Sequence, residues 1–273
     1  MLLANRAAII TGGAIGMGRS MALKFAEEGC SVVVADILEA EGTKTAEDAS
    51  KKGSDGIFIK CDATDIRQIE DMVAQTISRL GKVDILVNNA GGITTGEGEP
   101  PKGARGGRGG IANITEEKWD RALALNLKGP VFCCKAVVPH MRKRQYGKII
   151  SISSMGAYNP PSPAVDYHCA KAGIIGMTYN LAFELAPDNI NVNAILPGPV
   201  RTAFWDPVIA RVPDTDKEEF FVRLAKQVPL QRYGTPEDIA GVALFLASEL
   251  SSFVTGEIIT VSGGVPLPTY REF

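Results

Sequence analysis

Seven short apolar runs recur along the chain, and amphipathic segments separate most of them. The runs are Arg6 to Ile10, Ser31 to Ala35, Ile57 to Lys60, Val83 to Val87, Lys148 to Ser153, Ile190 to Leu196 and Ile258 to Val261. Runs this short and this rich in Val and Ile suit strands buried on both faces. Between them, Met17, Met21, Leu23, Phe25 and Ala26 follow a helical period up to Gly29. Ile66, Ile69, Met72, Val73, Ile77 and Leu80 form an apolar stripe with Thr64 or Asp65 as its cap. Glu116 to Arg144 reads as one long helix, and Val165, Ala172, Ile175 and Leu181 repeat at helical spacing in the next. Thr235 as N-cap with Pro236 at the first helical position opens a last helix whose apolar face is Ile239, Val242, Ala243 and Leu246. Strands alternating with helices predict an α/β fold with a parallel sheet.

Composition narrows the picture. At 273 residues and 45% hydrophobic the chain can bury one large core, so 1-273 is expected to be a single domain. The net charge of −2 comes from well-mixed acidic and basic residues. No overall field favours nucleic acid or an anionic membrane, and small-molecule chemistry is the better expectation. Five cysteines make an odd number without metal-ligand spacing, and only two histidines are present. Reduced thiols in a cytoplasmic protein without a metal are expected. Residues 1 to 13 carry no basic n-region or cleavage site, and no apolar run reaches membrane-spanning length.

The first run leads into TGGAIGMG. Gly12, Gly16 and Gly18 let the backbone turn tightly against a pyrophosphate, whose charge the helix N-terminus then holds. The second run ends at Asp36, eighteen residues beyond Gly18, close to the spacing at which dinucleotide folds place an acid on the adenosine ribose. A carboxylate there accepts from two ribose hydroxyls and repels the 2′-phosphate of NADP, so NAD is the expected cofactor. No Lys or Arg lies within the turn, and Arg19 follows the last glycine. Asp62 is read either as facing the adenine edge or as a helix cap.

Ser154 to Lys171 holds a hydroxyl, a phenol and an ammonium. Tyr167 and Lys171 are four residues apart and so share a helix face, where the cation stabilises a phenolate and makes the tyrosine a usable acid and base. Pro130 lies four residues after Asn126. Proline lacks an N–H, so the Asn126 carbonyl should be left unpaired at a kink.

TGGAIGMG, the NNAG of Asn88 to Gly91, Ser154 and YHCAK together resemble the short-chain dehydrogenase/reductase family, over nearly the whole chain. The resemblance implies a Rossmann-like, doubly wound parallel sheet of seven strands in three α/β/α layers, with strand order 3-2-1-4-5-6-7. It implies Asn126, Ser154, Tyr167 and Lys171 as catalytic residues, with a water on the Asn126 carbonyl relaying protons to Lys171. As cofactor-binding residues it implies Gly12, Ile15, Gly16, Met17, Gly18, Asp36, Asp62, Ala63, Asn89, Ala90, Gly91, Tyr167, Lys171, Pro197, Gly198, Val200 and Thr202. Val200 and Thr202 would hold the nicotinamide carboxamide. His168, on another helix face, is given no catalytic role. The activity implied is reversible NAD-dependent oxidation of a secondary alcohol to a ketone. The alternatives are a 3-oxoacyl-thioester reductase and a dinucleotide-binding protein without turnover. A homotetramer or homodimer is implied by the resemblance alone.

One departure is a glycine-rich insertion at 92-114, with eight glycines between Gly92 and Gly110. It reads as a mobile loop, or as a lid on which Arg105 and Arg108 hold an anionic substrate group. Residues 203-233, with Phe204, Trp205, Phe220 and Phe221, correspond to the family's variable substrate flap, whose aromatics are pocket or core. The substrate itself is not legible.

Overall fold

The computed structural model describes residues 1–93, 111–161, 163–202 and 217–265. Seven strands form one parallel sheet: β1 (Ala7–Thr11), β2 (Ser31–Asp36), β3 (Gly56–Lys60), β4 (Ile85–Asn88), β5 (Gly147–Ile152), β6 (Ile190–Pro197) and β7 (Ile258–Val261). Their order is β3-β2-β1-β4-β5-β6-β7, as expected. The order reverses between β1 and β4, which places a crevice beyond their C-terminal ends. The described helices are α1 (Gly16–Glu27), α2 (Glu39–Ser50), α3 (Ile66–Leu80), α4 (Glu116–Leu123), α5 (Gly129–Arg144), α6 (Val165–Leu185), α7 (Lys217–Ala225) and α8 (Pro236–Ala247).

Alternation along each strand builds two cores. Ile10, Val32, Val34, Ile85, Val87 and Ile150 face one side, where Met21 and Phe25 of α1 pack with Ile239 and Leu246 of α8. Ile9, Val33, Leu86 and Ile149 face the other, under Ile69 and Met72 of α3, Val137 and Met141 of α5 and Leu185 of α6. Both sheet faces are thus covered, which is why the strands read as continuous apolar runs rather than alternating ones.

Local chemistry fixes the helix ends. Asp65, not Thr64, caps α3, its carboxylate accepting from the Arg67 N–H at 2.9 Å. Gly81, at φ 74°, ends that helix in the left-handed region. Thr235 and Asp238 form a reciprocal capping box at α8, with Pro236 in its first turn.

The expected helix from Glu116 to Arg144 is continuous, with a π turn set between α4 and α5. Ala124–Lys128 form a π-helical turn in which the Gly129 N–H donates to the Ala124 carbonyl. Pro130, in the first turn of α5, has no N–H to give the Asn126 carbonyl, and the extra residue of the wider turn accommodates that loss. By length and composition, residues 116 to 144 could span a bilayer, although no single apolar run in the sequence does. In the fold, Cys133, Cys134, Val137, Val138 and Met141 of this segment are buried in the core.

Candidate active site

The C-terminal ends of β1, β2, β4, β5 and β6 carry most of the candidate residues. The turn after β1 is held open by glycine: Gly12 and Gly16 have φ of 62° and 56°. A Cβ on Gly12 would lie 2.8 Å from the Ala90 Cα, and one on Gly18 would lie 2.0 Å from the Gly12 carbonyl oxygen. No side chain caps α1 at Ile15, so its first N–H groups face the turn without an internal acceptor. Met17 packs against the core beneath.

Asp36, buried at the end of β2, accepts from the Ala14 N–H at 2.9 Å through Oδ2 and from the Leu38 N–H at 3.1 Å through Oδ1. These bonds fix the carboxylate's orientation and leave lone pairs on both oxygens. Arg19 turns to α2, meeting Thr45 Oγ1 and Asp48 Oδ2, each at 2.8 Å. Asp62 is neither N-cap nor free: its Oδ1 accepts from the Thr64 N–H at 2.8 Å and the Thr64 hydroxyl at 2.7 Å, closing a local turn. Ala63 is buried, and its carbonyl lies where a Cβ on Gly129 would come within 2.3 Å.

The NNAG segment is stitched to β1. The Thr11 hydroxyl accepts from the Asn89 and Ala90 N–H groups, both at 3.1 Å. Asn89 Nδ2 donates to the Thr11 and Gly12 carbonyls at 3.0 and 2.8 Å. Gly91 follows, and a Cβ there would sit 2.9 Å from Asn126 Oδ1 and 3.0 Å from Lys171 Nζ. The two side chains expected in one site therefore meet at this glycine. Asn126 is fully buried and its amide is engaged on both sides: Oδ1 accepts from the Gly92 N–H, and Nδ2 donates to the Gly92 and Ala122 carbonyls.

Lys171 is 4% exposed. Its Nζ donates to the Ile152 carbonyl at 2.8 Å and lies 5.8 Å from the centroid of the Tyr167 ring. Burial brings the ammonium down to about 8 from its usual 10.5. Tyr167 is buried beside it, with His168 packed edge-on at 5.5 Å. Ser154, in extended backbone at the end of β5, accepts from the Gly156 N–H at 3.0 Å, so the proton of its hydroxyl remains to be donated. The apolar positions expected to define α6 are corrected here: Val165 and Ala172 are exposed, and the buried stripe is Asp166, Tyr167, Ala170, Lys171, Ile174 and Ile175. The inner face of this helix is polar where the site lies.

After β6, Gly198 packs so closely that a Cβ would lie 2.7 Å from the Ser262 Cα, while Pro197 pairs with Val261. Val200 bridges to Gly234, and Thr202 lies 3.6 Å from where a Cβ on Gly16 would be. The segment from Pro197 to Thr202 thus returns to the glycine turn. Phe221 is core, packed edge-on against Phe220 and Tyr233 and under the Arg201 guanidinium. Phe204, Trp205, Arg105 and Arg108 lie outside the described residues.

Two groups escaped the sequence reading. The Ser153 hydroxyl donates to the Lys171 carbonyl at 2.7 Å, tying α6 to β5 beside Ser154. The Thr11 hydroxyl carries the NNAG turn. Ser153 adjoins a motif residue and Thr11 opens TGGAIGMG, but neither contact was legible, because their partners are distant in sequence.

A family model described as enoyl-(acyl carrier protein) reductase matches residues 12–266. The chain is 37% identical over 264 residues to (2S)-[(R)-hydroxy(phenyl)methyl]succinyl-CoA dehydrogenase subunit BbsD of Thauera aromatica, covering 97% of this chain and 98% of that one. It is 38% identical over 271 residues to 3-oxoacyl-[acyl-carrier-protein] reductase FabG of Thermotoga maritima, covering 97% and 99%. Among solved structures, levodione reductase superposes with a TM-score of 0.85 at 27% identity, covering 96% of this chain and 98% of that one. The chain belongs to the short-chain dehydrogenase/reductase family. It is an oxidoreductase of that family, whose members generally use nicotinamide dinucleotides.

Proposed function

We propose that the chain catalyses reversible NAD-dependent oxidation of a secondary alcohol to a ketone, through Tyr167, Lys171, Ser154 and Asn126. The observation that carries the reading is the buried Lys171 ammonium beside the Tyr167 ring and against Gly91. With Lys171 at about 8, most of its charge is present at neutral pH, next to the phenol it would help to ionise. In the oxidation direction Tyr167, as phenolate, takes the hydroxyl proton of the substrate. Ser154 donates its remaining proton as a hydrogen bond to the same oxygen. The Asn126 carbonyl, to which Pro130 has no N–H to give, would hold a water that passes protons to Lys171.

The residues present fit a nicotinamide dinucleotide. Gly12, Gly16, Gly18 and the start of α1 suit the pyrophosphate, Asp36 the adenosine ribose, and the segment from Pro197 to Thr202 the carboxamide. The dinucleotide, when bound, supplies the hydride acceptor in one direction and the donor in the other. Asp36 favours NAD, and the one arginine of the α1 start is tied to Asp48 instead of standing ready for a 2′-phosphate. Five free thiols support a cytoplasmic location. The outward Tyr179 and Phe183 of α6, 54% and 89% exposed, support a homo-oligomer.

The relatives named for a hydroxy-substituted succinyl-CoA and a 3-oxoacyl carrier protein favour, as a second reading of the substrate, an acyl thioester bearing the hydroxyl or oxo group. The deciding experiment offers NAD and NADP with neutral, carboxylate and thioester secondary alcohols and follows absorbance of the reduced dinucleotide. Turnover with NAD on one class supports the proposal and assigns the class. Turnover with NADP alone contradicts the NAD assignment, and none on any alcohol or the matching ketones contradicts the activity.

A further inference from the structure

Thr45, in the middle of α2, is wholly buried, and its hydroxyl behaves unlike those of two other buried helical threonines. Thr76 and Thr178 give their protons to the carbonyls one turn back in their own helices, Met72 and Ile174, each at 2.8 Å. That is the usual local outlet for such a group. Thr45 instead donates to the Ala14 carbonyl in the glycine turn, at 2.8 Å, and accepts from Arg19 Nη1 at the same distance. An arginine only donates and a carbonyl only accepts, so a single hydroxyl proton fixes the direction of both bonds.

The chain of contacts runs on at both ends. Arg19 Nη2 meets Asp48 Oδ2 at 2.8 Å, and Lys51 Nζ meets the other Asp48 oxygen at 2.7 Å. The hydrogen bonds from Lys51 and Arg19 hold that carboxyl at about 2. On the far side, the Ala14 N–H donates to Asp36 Oδ2 at 2.9 Å. Residue 14 is thus clamped through its carbonyl by Thr45 and through its N–H by the carboxylate that selects the cofactor.

We propose that Thr45 is a positioning residue for dinucleotide selectivity: it fixes the glycine turn against Asp36 and keeps the Arg19 cation on Asp48. The inference rests on the NAD reading above. Valine in its place has nearly the same shape but neither donates nor accepts. The Ala14 carbonyl and one Arg19 N–H then lose their partners, the turn relaxes, and the Ala14 N–H holds Asp36 Oδ2 less firmly, leaving the Leu38 N–H as the firmer of its two contacts. Arg19 gains freedom beside a site where a 2′-phosphate would attract it. The first effect disfavours NADH and the second favours NADPH.

The test needs no substrate. Dissociation constants for NADH and NADPH are measured by fluorescence titration on the full chain, for wild type, Thr45→Val, Thr45→Ser and Asp48→Asn, with thermal midpoints alongside. The ratio of the NADPH to the NADH constant is expected to fall about tenfold in Thr45→Val, the size of one lost hydrogen bond. Thr45→Ser keeps the hydroxyl and should keep the ratio. Asp48→Asn, which loosens Arg19 without touching the core, should move the ratio in the same direction by a smaller factor. A purely structural threonine would lower the midpoint and weaken both dinucleotides alike. An unmoved ratio in Thr45→Val, or in Asp48→Asn should the valine variant not fold, overturns the inference while leaving the NAD reading standing. Tighter NADPH than NADH binding by wild type overturns both.

Discussion

Replacing Lys171 with methionine removes an ammonium that the fold has buried, and the consequence is a pH-dependent stability difference of calculable sign. The folded chain holds Lys171 at about 8, against 10.5 for the free group, because burial disfavours the charged form. Between these values the unfolded chain binds more protons than the folded one, so wild-type stability rises with pH across that window. Below about pH 8 the cost of burying the charge is fully present; above about 10.5 it is gone. The difference of the two values corresponds to on the order of 3 kcal/mol. Lys171→Met lacks this component, and its lost bond to the Ile152 carbonyl adds an offset with little pH dependence. Urea unfolding of both proteins without cofactor, at intervals from pH 7 to 10.5, reads the difference directly. Relative to wild type, the variant should lose ground steadily as pH rises, by a total near that figure. A difference that stays flat, or that moves in the variant's favour, refutes the picture of a desolvated lysine in the unliganded site.

Gly91→Ala should slow turnover with little loss of stability. The added methyl would lie 2.9 Å from Asn126 Oδ1, which is pinned by its bond to Gly92, and 3.0 Å from Lys171 Nζ, which can yield. Displacing the ammonium should lower kcat roughly ten- to a hundredfold, the worth of a hydrogen bond to a charged group, with the thermal midpoint nearly kept; unchanged kcat would contradict the contact. Asp36→Ala should weaken NAD and admit NADP, shifting the preference by about 1 to 3 kcal/mol in kcat/KM, and a wild type that already prefers NADP would show the carboxylate argument to be wrong.

The sheet was legible because strands buried on both faces must be apolar throughout, and all seven runs were read within about two residues of their ends. Tyr167 and Lys171 were legible for an equally simple reason, since residues one helical turn apart share a face. The burial pattern of α6 was not. Amphipathic reading assumes that polar groups face solvent, whereas this helix turns Asp166, Tyr167 and Lys171 inward and leaves Phe183 outside. The π turn at Ala124–Lys128 was visible only as a missing donor at Pro130, which signals a disturbed ladder but not the form the disturbance takes. Bonds from Asn126 to Gly92 and from Thr45 to Ala14 join residues more than thirty positions apart. No local pattern encodes such pairs; they follow from the tertiary fold.

Acid-base chemistry at Tyr167 is the centre of the account, and Tyr167→Phe tests it with the least disturbance. The phenol is buried beside Lys171, and phenylalanine keeps its ring while removing the oxygen that would exchange the proton. The measurement is the rate of NADH formation at saturating NAD and the best alcohol of the panel, for wild type and variant, with the NADH dissociation constant determined on both. The account predicts a fall in turnover of roughly a hundred- to ten-thousand-fold with NADH affinity nearly unchanged. Turnover close to wild type in the variant would contradict it.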